Sequence, residues 1–342
     1  MSTPRRRRGI VLIGVVLFLF LGMTAVATFL RQAAVDGLVA RHRDLAARAE
    51  ALARGGIELG TALLLQDRLD ESNRDFRVEA RPERWGRVAH HVIHVPDGGT
   101  LRLRIEDAGA RLNLNAMLDA DGAVRGELAE VFLTTWLERV LEELREENPR
   151  EARPRDAQEL ARHLLDWIDQ DDVDADGAPE AELYARRRSE RRPADRPLLS
   201  LEELGQVEGF DAALLEALRP YVSVHPLYGG DGVNPNTAPP WVLAALYHGS
   251  AGDFRLVTED IVRRILDIRE GGGILCDDTA DHPACTPLRE VVPGEIFPPP
   301  TFASEVFRVT AEGRYGDVAR RVEAVVDRSD PTTPELRAWR VR

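Results

Sequence analysis

Eight carboxylates fall within the seventeen residues 166–182: Asp166, Asp169, Asp171, Asp172, Asp174, Asp176, Glu180 and Glu182. Carboxylates this close repel strongly unless cations neutralise them. Hard oxygen donors on a loop that also holds Gly177 suit Ca²⁺, which takes about 6 to 8 oxygens at roughly 2.3–2.6 Å. The alternation Asp172, Asp174, Asp176, Gly177 echoes the opening of an EF-hand loop. The twelfth position of such a loop falls on Leu183 instead of Glu, so we expect a calcium site of another type, with a solvated acidic loop as the alternative. Carboxylates paired as hydrolytic acid and base have no accompanying substrate motif, and we expect no enzyme activity.

Other reactive groups are sparse. Cys276 and Cys285 stand in a Gly- and Asp-rich stretch. Outside the cytoplasm such a pair most often forms a disulfide, and the lack of further Cys or His at finger spacing argues against a zinc site. His90, His91 and His94 invite a metal reading. On a strand, however, His90 and His94 stand roughly 13 Å apart and His91 points the other way, which makes them solvent-facing residues. Val207-Glu-Gly-Phe210 resembles the turn of a helix-hairpin-helix nucleic-acid module, but Glu208 and Asp211 flank its single Gly and would repel phosphate. The chain carries 58 acidic against 45 basic residues, all the latter Arg, and a net charge of −13. This balance argues against nucleic acid and for cations or basic partners. Outside the N-terminus we single out one basic patch, Arg186 to Arg192, read as folding back on the acidic loop or staying solvated, with a partner contact as the alternative.

The elements that must position these groups begin with Arg5 to Arg8 and Gly9, followed by an uncharged apolar run from Ile10 to Leu30. Twenty-one residues at about 1.5 Å each span roughly 31 Å, close to a bilayer core of about 30 Å. Positive charge stays cytoplasmic, so everything after Arg31 belongs outside. Ala25-Val26-Ala27 would allow cleavage as a secretory signal with Thr28 as the new terminus, and a plain anchor is a second reading. The third, which we favour, is one long helix that leaves the membrane and continues from Arg31 to Leu65, a stretch without Pro. Strand signals follow at Val88–Val95 and Leu101–Ile105 around Pro96-Asp97-Gly98-Gly99. Helices are expected over Glu127–Glu147, Ala157–Ile168, Ser200–Val207 (opened by a Ser200/Glu203 capping box), Asp211–Tyr221, Pro239–Tyr247 and Glu259–Arg269. Strands return at Glu305–Ala311 and Ala319–Asp327. Separated strand groups complete one sheet only around an insertion, so the fold class is α+β: an antiparallel sheet interrupted by a large inserted all-α domain.

A Gly-then-apolar junction followed by such a helix resembles the class III leader of type IV pilins and type II secretion pseudopilins. Arg111-Leu-Asn-Leu-Asn-Ala116, Leu164-Leu-Asp-Trp-Ile-Asp169, Pro197-Leu-Leu-Ser-Leu-Glu-Glu-Leu204, Leu218-Arg-Pro-Tyr-Val222 and Val233-Asn-Pro-Asn-Thr-Ala-Pro-Pro-Trp-Val-Leu243 together resemble the minor pseudopilin K family of type II secretion. The resemblance implies cleavage by a prepilin peptidase between Gly9 and Ile10, methylation, and a pseudopilin fold carrying the helical insertion. It also implies calcium, and we carry the ligand roles onto Asp169, Asp171, Asp172, Asp174, Glu180 and Glu182. Most pseudopilins have Glu as fifth mature residue, paired with a neighbour's N-terminal ammonium. Here that position is Gly14, which suits the filament tip better than a repeating shaft position.

The resulting expectation is a non-enzymatic subunit of the inner membrane, single-pass through Ile10 to Leu30, with its soluble part in the periplasm. Its expected partners are minor pseudopilins I and J, other pseudopilins, the prepilin peptidase and secreted substrates, with no nucleic acid. The expected layout is leader 1–9, membrane helix 10–30, periplasmic helix 31–69, pseudopilin strands 70–116, inserted domain 117–299 and C-terminal strands and tail 300–342. The alternatives are an anchored or secreted calcium-binding protein without a filament role and, further off, a helix-hairpin-helix DNA binder.

Overall fold

The computed structural model describes residues 8–71, 78–80, 84–147, 154–171, 173, 178–180, 192–227, 232–250, 253–277, 285–330 and 332–342. Its first element, α1 (Arg8–Glu71), is one continuous helix of 64 residues. No Pro interrupts it, and Ala, Leu and Arg, all strong helix formers, recur along it. From Val11 to Asp44 every side chain is exposed, including Phe18, Phe20 and Phe29. This half is long and apolar enough to cross a membrane, and none of its most apolar window is buried in the protein.

A short helix α2 (Arg84–Arg87) and a 3-10 turn (Val88–His90) precede β1 (Val92–His94) and β2 (Thr100–Asp107), which pair antiparallel. The strand expected from Val88 therefore begins only at Val92. Trp85 and Val88 are drawn into the apolar core beside the sheet, which turns the backbone away from an extended path. His91 and His94 are exposed, while His90 lies in the turn and not on the strand.

The following region contains β3 (Leu112–Asn113), α3 (Gly126–Glu147), α4 (Ala157–Ile168), a 3-10 helix (Leu201–Gln206) and α5 (Ala212–Leu218). After these come β4 (Val222–Ser223), α6 (Pro240–Leu243), β5 (Tyr247–Ser250), β6 (Asp253–Leu256) and α7 (Glu259–Glu270). It closes with β7 (Ile274–Cys276), β8 (Cys285–Pro287), α8 (Leu288–Val291) and β9 (Glu295–Phe297). The chain ends in β10 (Val306–Tyr315), β11 (Val318–Asp327) and β12 (Glu335–Val341).

Several boundaries differ from those expected. Residues 201–206 form a 3-10 helix because Ser200 makes no side-chain cap; Glu203 instead accepts the Leu199 N–H at 2.9 Å and pairs with Arg196. The helix expected to reach Tyr247 stops at Leu243, and Tyr247 opens a hairpin of alternating burial. The inserted region thus adds short strands to its helices: a three-stranded sheet β6-β5-β9 and two parallel pairs, β3-β4 and β7-β8.

The main sheet has the order β1-β2-β10-β11-β12, antiparallel throughout. The insertion joins β2 to β10, which are neighbours with Asp107 opposite Phe307. A turn at Gly316-Asp317 links β10 to β11; Gly316 takes φ 59°, the sign that hairpin turns require at their first central residue. The C-terminal half of α1 lies across one face of this sheet, burying Ala53, Ile57 and Leu64 against Leu101, Leu103, Ile105, Val309, Ala311 and Val322. Contact is close enough to require glycine: a Cβ on Gly60 would stand 2.7 Å from Val309, and one on Gly56 2.7 Å from Ala311. A second, larger core fills the inserted region around Phe132, Trp136, Leu164, Trp167, Leu214 and Val242.

Buried polar side chains tie these parts together. Arg328, fully buried, donates to the Leu64 carbonyl and to Asp67, pairs with Glu79, and stacks over Phe307 at 4.5 Å. Asp107 receives the Gly109 N–H at 2.7 Å, Asn234 Nδ2 at 3.0 Å and Thr237 Oγ at 2.6 Å, which clamps the point where the insertion departs.

Candidate functional site

The acidic loop starts where α4 ends. Asp156 caps that helix by accepting the Gln158 and Glu159 N–H groups, and its apolar face of Leu160, Leu164, Trp167 and Ile168 is fixed in the insertion core. Asp169 follows as the C-cap residue, 8% exposed, so the core itself presents this carboxylate to the loop. Asp171 accepts the Val173 N–H at 2.9 Å, and Val173 bridges to Pro179, which closes the loop and brings Glu180 back beside Asp169. Glu180 is 4% exposed.

Both carboxylates are buried and uncompensated among the described residues. Asp169 Oδ1 and both Glu180 carboxylate oxygens have no hydrogen-bond partner among the described residues. Burial, reinforced by Asp171, Asp166 and Asp195, pushes Asp169 up to about 7. Burial, reinforced first by Asp169 and then by Asp166, Asp195 and Asp171, pushes Glu180 up to about 8. Unpaired buried carboxylates are among the costliest groups a fold can hold, and a hard divalent cation is the partner that offsets the cost. The donor chemistry therefore fits calcium.

Of the six ligands carried onto the sequence, Asp169, Asp171 and Glu180 are brought near one another, while Asp172, Asp174 and Glu182 lie outside the described residues. Among the described residues no set of three or more Asp, Glu, His or Cys side chains is placed to enclose a metal ion. Sequence reasoning missed Asp195, which contributes to the field on both Asp169 and Glu180 and adopts φ 50°. Its signal was faint: Asp is among the few residues that tolerate a left-handed backbone, and Asp195-Arg-Pro reads as a turn. Of the basic patch, only Arg192 is described; it is exposed. Cys276 and Cys285 are joined as a disulfide linking β7 to β8. Val207–Phe210 is a packed turn: a Cβ on Gly209, at φ 88°, would stand 2.6 Å from Leu160, and His163 Nδ1 meets the Glu208 carbonyl at 3.1 Å.

The motifs on either side of the loop have a mechanical role. Asn115 donates to the Leu198 and Val224 carbonyls and accepts the Leu198 N–H, while Asn113 donates to the Pro226 carbonyl. Asn236 both donates to and accepts from the Leu275 backbone. Each Asn-X-Asn pair thus staples a distant segment by its peptide groups, a task for which a side-chain amide is well suited.

A family model described as type II secretion system (T2SS), protein K matches residues 110–227, a span that contains Asn113, Asn115 and the whole acidic loop. Type II secretion system protein K of Klebsiella pneumoniae is 32% identical over 221 residues, covering 64% of this chain and 62% of that protein. Over these residues the chain is similar to type II secretion system protein K. A further protein K relative, from Dickeya chrysanthemi, is 27% identical over 308 residues, covering 79% of each chain. The chain spans less than two thirds of the Klebsiella protein K it matches. A chain in the solved structure of the GspK-GspI-GspJ complex from enterotoxigenic Escherichia coli shares this chain's fold. Its TM-score is 0.56 at 18% identity, covering 89% of this chain and 99% of that one.

Proposed function

We propose that this chain is a minor pseudopilin that caps the tip of a type II secretion pseudopilus beside minor pseudopilins I and J, where it helps initiate assembly and export of folded proteins across the outer membrane. The observation that carries this reading is α1, whose apolar half is uncovered and bears no carboxylate between Ile10 and Leu30. Gly14 has nothing within 4 Å of where a side chain would stand, so Glu is absent there for reasons other than space. A subunit without that carboxylate leaves a neighbour's ammonium unpaired in the bilayer, a cost that disappears at a terminal position. The inserted region adds bulk that a repeating shaft has to exclude.

In this reading a prepilin peptidase cuts between Gly9 and Ile10 and the mature terminus is methylated. The membrane is the inner membrane, the soluble part is periplasmic, and the role is assembly, not catalysis. Calcium binds through Asp169, Asp171, Asp172, Asp174, Glu180 and Glu182. When bound it supplies positive charge to a loop whose buried oxygens lack partners.

The test is the N-terminal residue of the chain recovered from membranes of cells with and without a prepilin peptidase. Ile10 appearing only with the peptidase supports the pseudopilin reading; an uncut terminus indicates a plain anchor, and Thr28 a secreted calcium-binding domain. Stoichiometry in purified pseudopili then addresses position. One copy per filament is expected, and incorporation along the shaft would contradict the tip role.

A further inference from the structure

The face of the main sheet turned away from α1 carries a charge opposite to that of the chain. Arg102, Arg104, Arg308, Arg314, Arg321 and Arg340 occupy the alternate positions of β2, β10, β11 and β12 that do not enter the core, and Arg342, just past β12, continues the row by bonding the Arg321 backbone. The face's glutamates are too few to balance them. Glu106 is shared by Arg104 and Arg111, Glu312 by Arg314 and Arg321, and Glu202 by Arg219 and Arg340, while Glu323 pairs with Arg342. The side chains of Arg102 and Arg308 make neither an ion pair nor a hydrogen bond among the described residues. Arg308 is half-buried between two depressions: an open groove of about 410 Å³ along β2 and β10, and a cleft of about 250 Å³ where the sheet meets the inserted region beside His225.

We infer that this face is a docking surface for an extended acidic polypeptide segment of a partner protein, with Arg308 and Arg102 as its anchoring cations. Guanidinium forks favour carboxylates in bidentate geometry, and two of them here have no side-chain partner among the described residues. Arg102 lies opposite Glu312 and Arg308 opposite Glu106 on the neighbouring strand, so the two cations stand four residues apart along the sheet, roughly 14 Å, a distance that about four residues of an extended peptide span. The surplus is felt by neighbours: burial first and then Arg308 hold both Arg111 and His225 below their ordinary values.

Anionic lipid is the competing source of negative charge, and its distance from this face argues against it. Val309, beside Arg308, packs against Gly60, which lies 29 residues along α1 from Arg31. At about 1.5 Å per residue that is roughly 44 Å above the end of the apolar run, several screening lengths of about 8 Å away. This inference does not depend on the tip position proposed above.

The experiment uses the full chain in neutral detergent micelles and follows a fluorescein-labelled hexaglutamate peptide by anisotropy at 50 mM and 300 mM NaCl. Saturable binding is expected at low salt and weaker binding at high salt. A double variant, Arg102→Gln with Arg308→Gln, is expected to lose about tenfold in affinity with an unchanged melting temperature, whereas Arg263→Gln on α7 loses nothing. Failure of hexaglutamate to bind, or equal losses in both variants, would overturn the proposal. So would displacement of the peptide by inorganic phosphate or phosphatidylglycerol vesicles at equal charge concentration, which would make this a general anion site or a lipid site.

Discussion

Arg328 is the residue on which most of the buried polar structure converges. Its guanidinium joins the end of α1 at Asp67, the segment holding Glu79, and the last residues of β11, all without solvent. A buried ion network of this kind is weak evidence for net stability, but removing one member leaves the others charged and dry. Arg328→Met should lower unfolding stability by about 3–5 kcal/mol in urea titrations, far more than loss of an exposed pair such as Arg263–Glu259. Asp169 and Glu180 show the reverse arrangement, two buried carboxylates with no cation among the described residues. Asp169→Asn combined with Glu180→Gln should raise the melting temperature in EDTA and abolish the rise that calcium gives the parent chain. The expected result is a crossing of the two rank orders. The acidic loop was legible in the sequence because its charge density has few uses. Arg328, Glu79 and Asp107 were not, since a lone Arg or Asp in a strand has no local signature and its partners are brought in by tertiary folding alone.

At the scale of elements, the hydrophobic periodicity and the absence of Pro announced α1, α3, α4 and α7 with ends within a few residues. The β10–β11 hairpin was equally plain from alternation around Gly313 to Gly316. What escaped were pieces held by packing: the 3-10 helix at Leu201–Gln206, the parallel pairs of two or three residues, and β12, whose exposed residues offer no buried face to read. The seam between α1 and the sheet is likewise set by contacts invisible in a linear pattern. Gly55 faces open space whereas Gly60 touches Val309. Gly60→Val should therefore cost about 1–3 kcal/mol through overpacking, while Gly55→Ala should gain about 0.5–1 kcal/mol from reduced helix entropy. Urea midpoints of the two variants measured side by side distinguish the two faces of α1.

The molecule as a whole is two cores joined at a neck. One joint lies at His225, between the inserted region and the outer sheet face, close to Arg308 of β10, Asp327 of β11 and Arg337 of β12. Burial, aided by Arg308, lowers the His225 value, so the folded state resists taking up a proton that the unfolded chain accepts near its ordinary value of about 6.5. The stability this provides is complete above that value and is lost as pH falls below it. Melting temperatures of His225→Gln should decline less between pH 7.5 and 5.5 than those of the parent chain.

The neck has a consequence for how such a chain changes over time. The insertion leaves the sheet at Asp107 and returns by Phe307, residues that sit opposite each other on adjacent strands. Because both ends of nearly two hundred residues meet at one spot held by Asp107, Asn234 and Thr237, the head can be lengthened, trimmed or exchanged without altering the path of the stem. Insertions and deletions are therefore expected to accumulate faster in the head than along α1 and the sheet it covers.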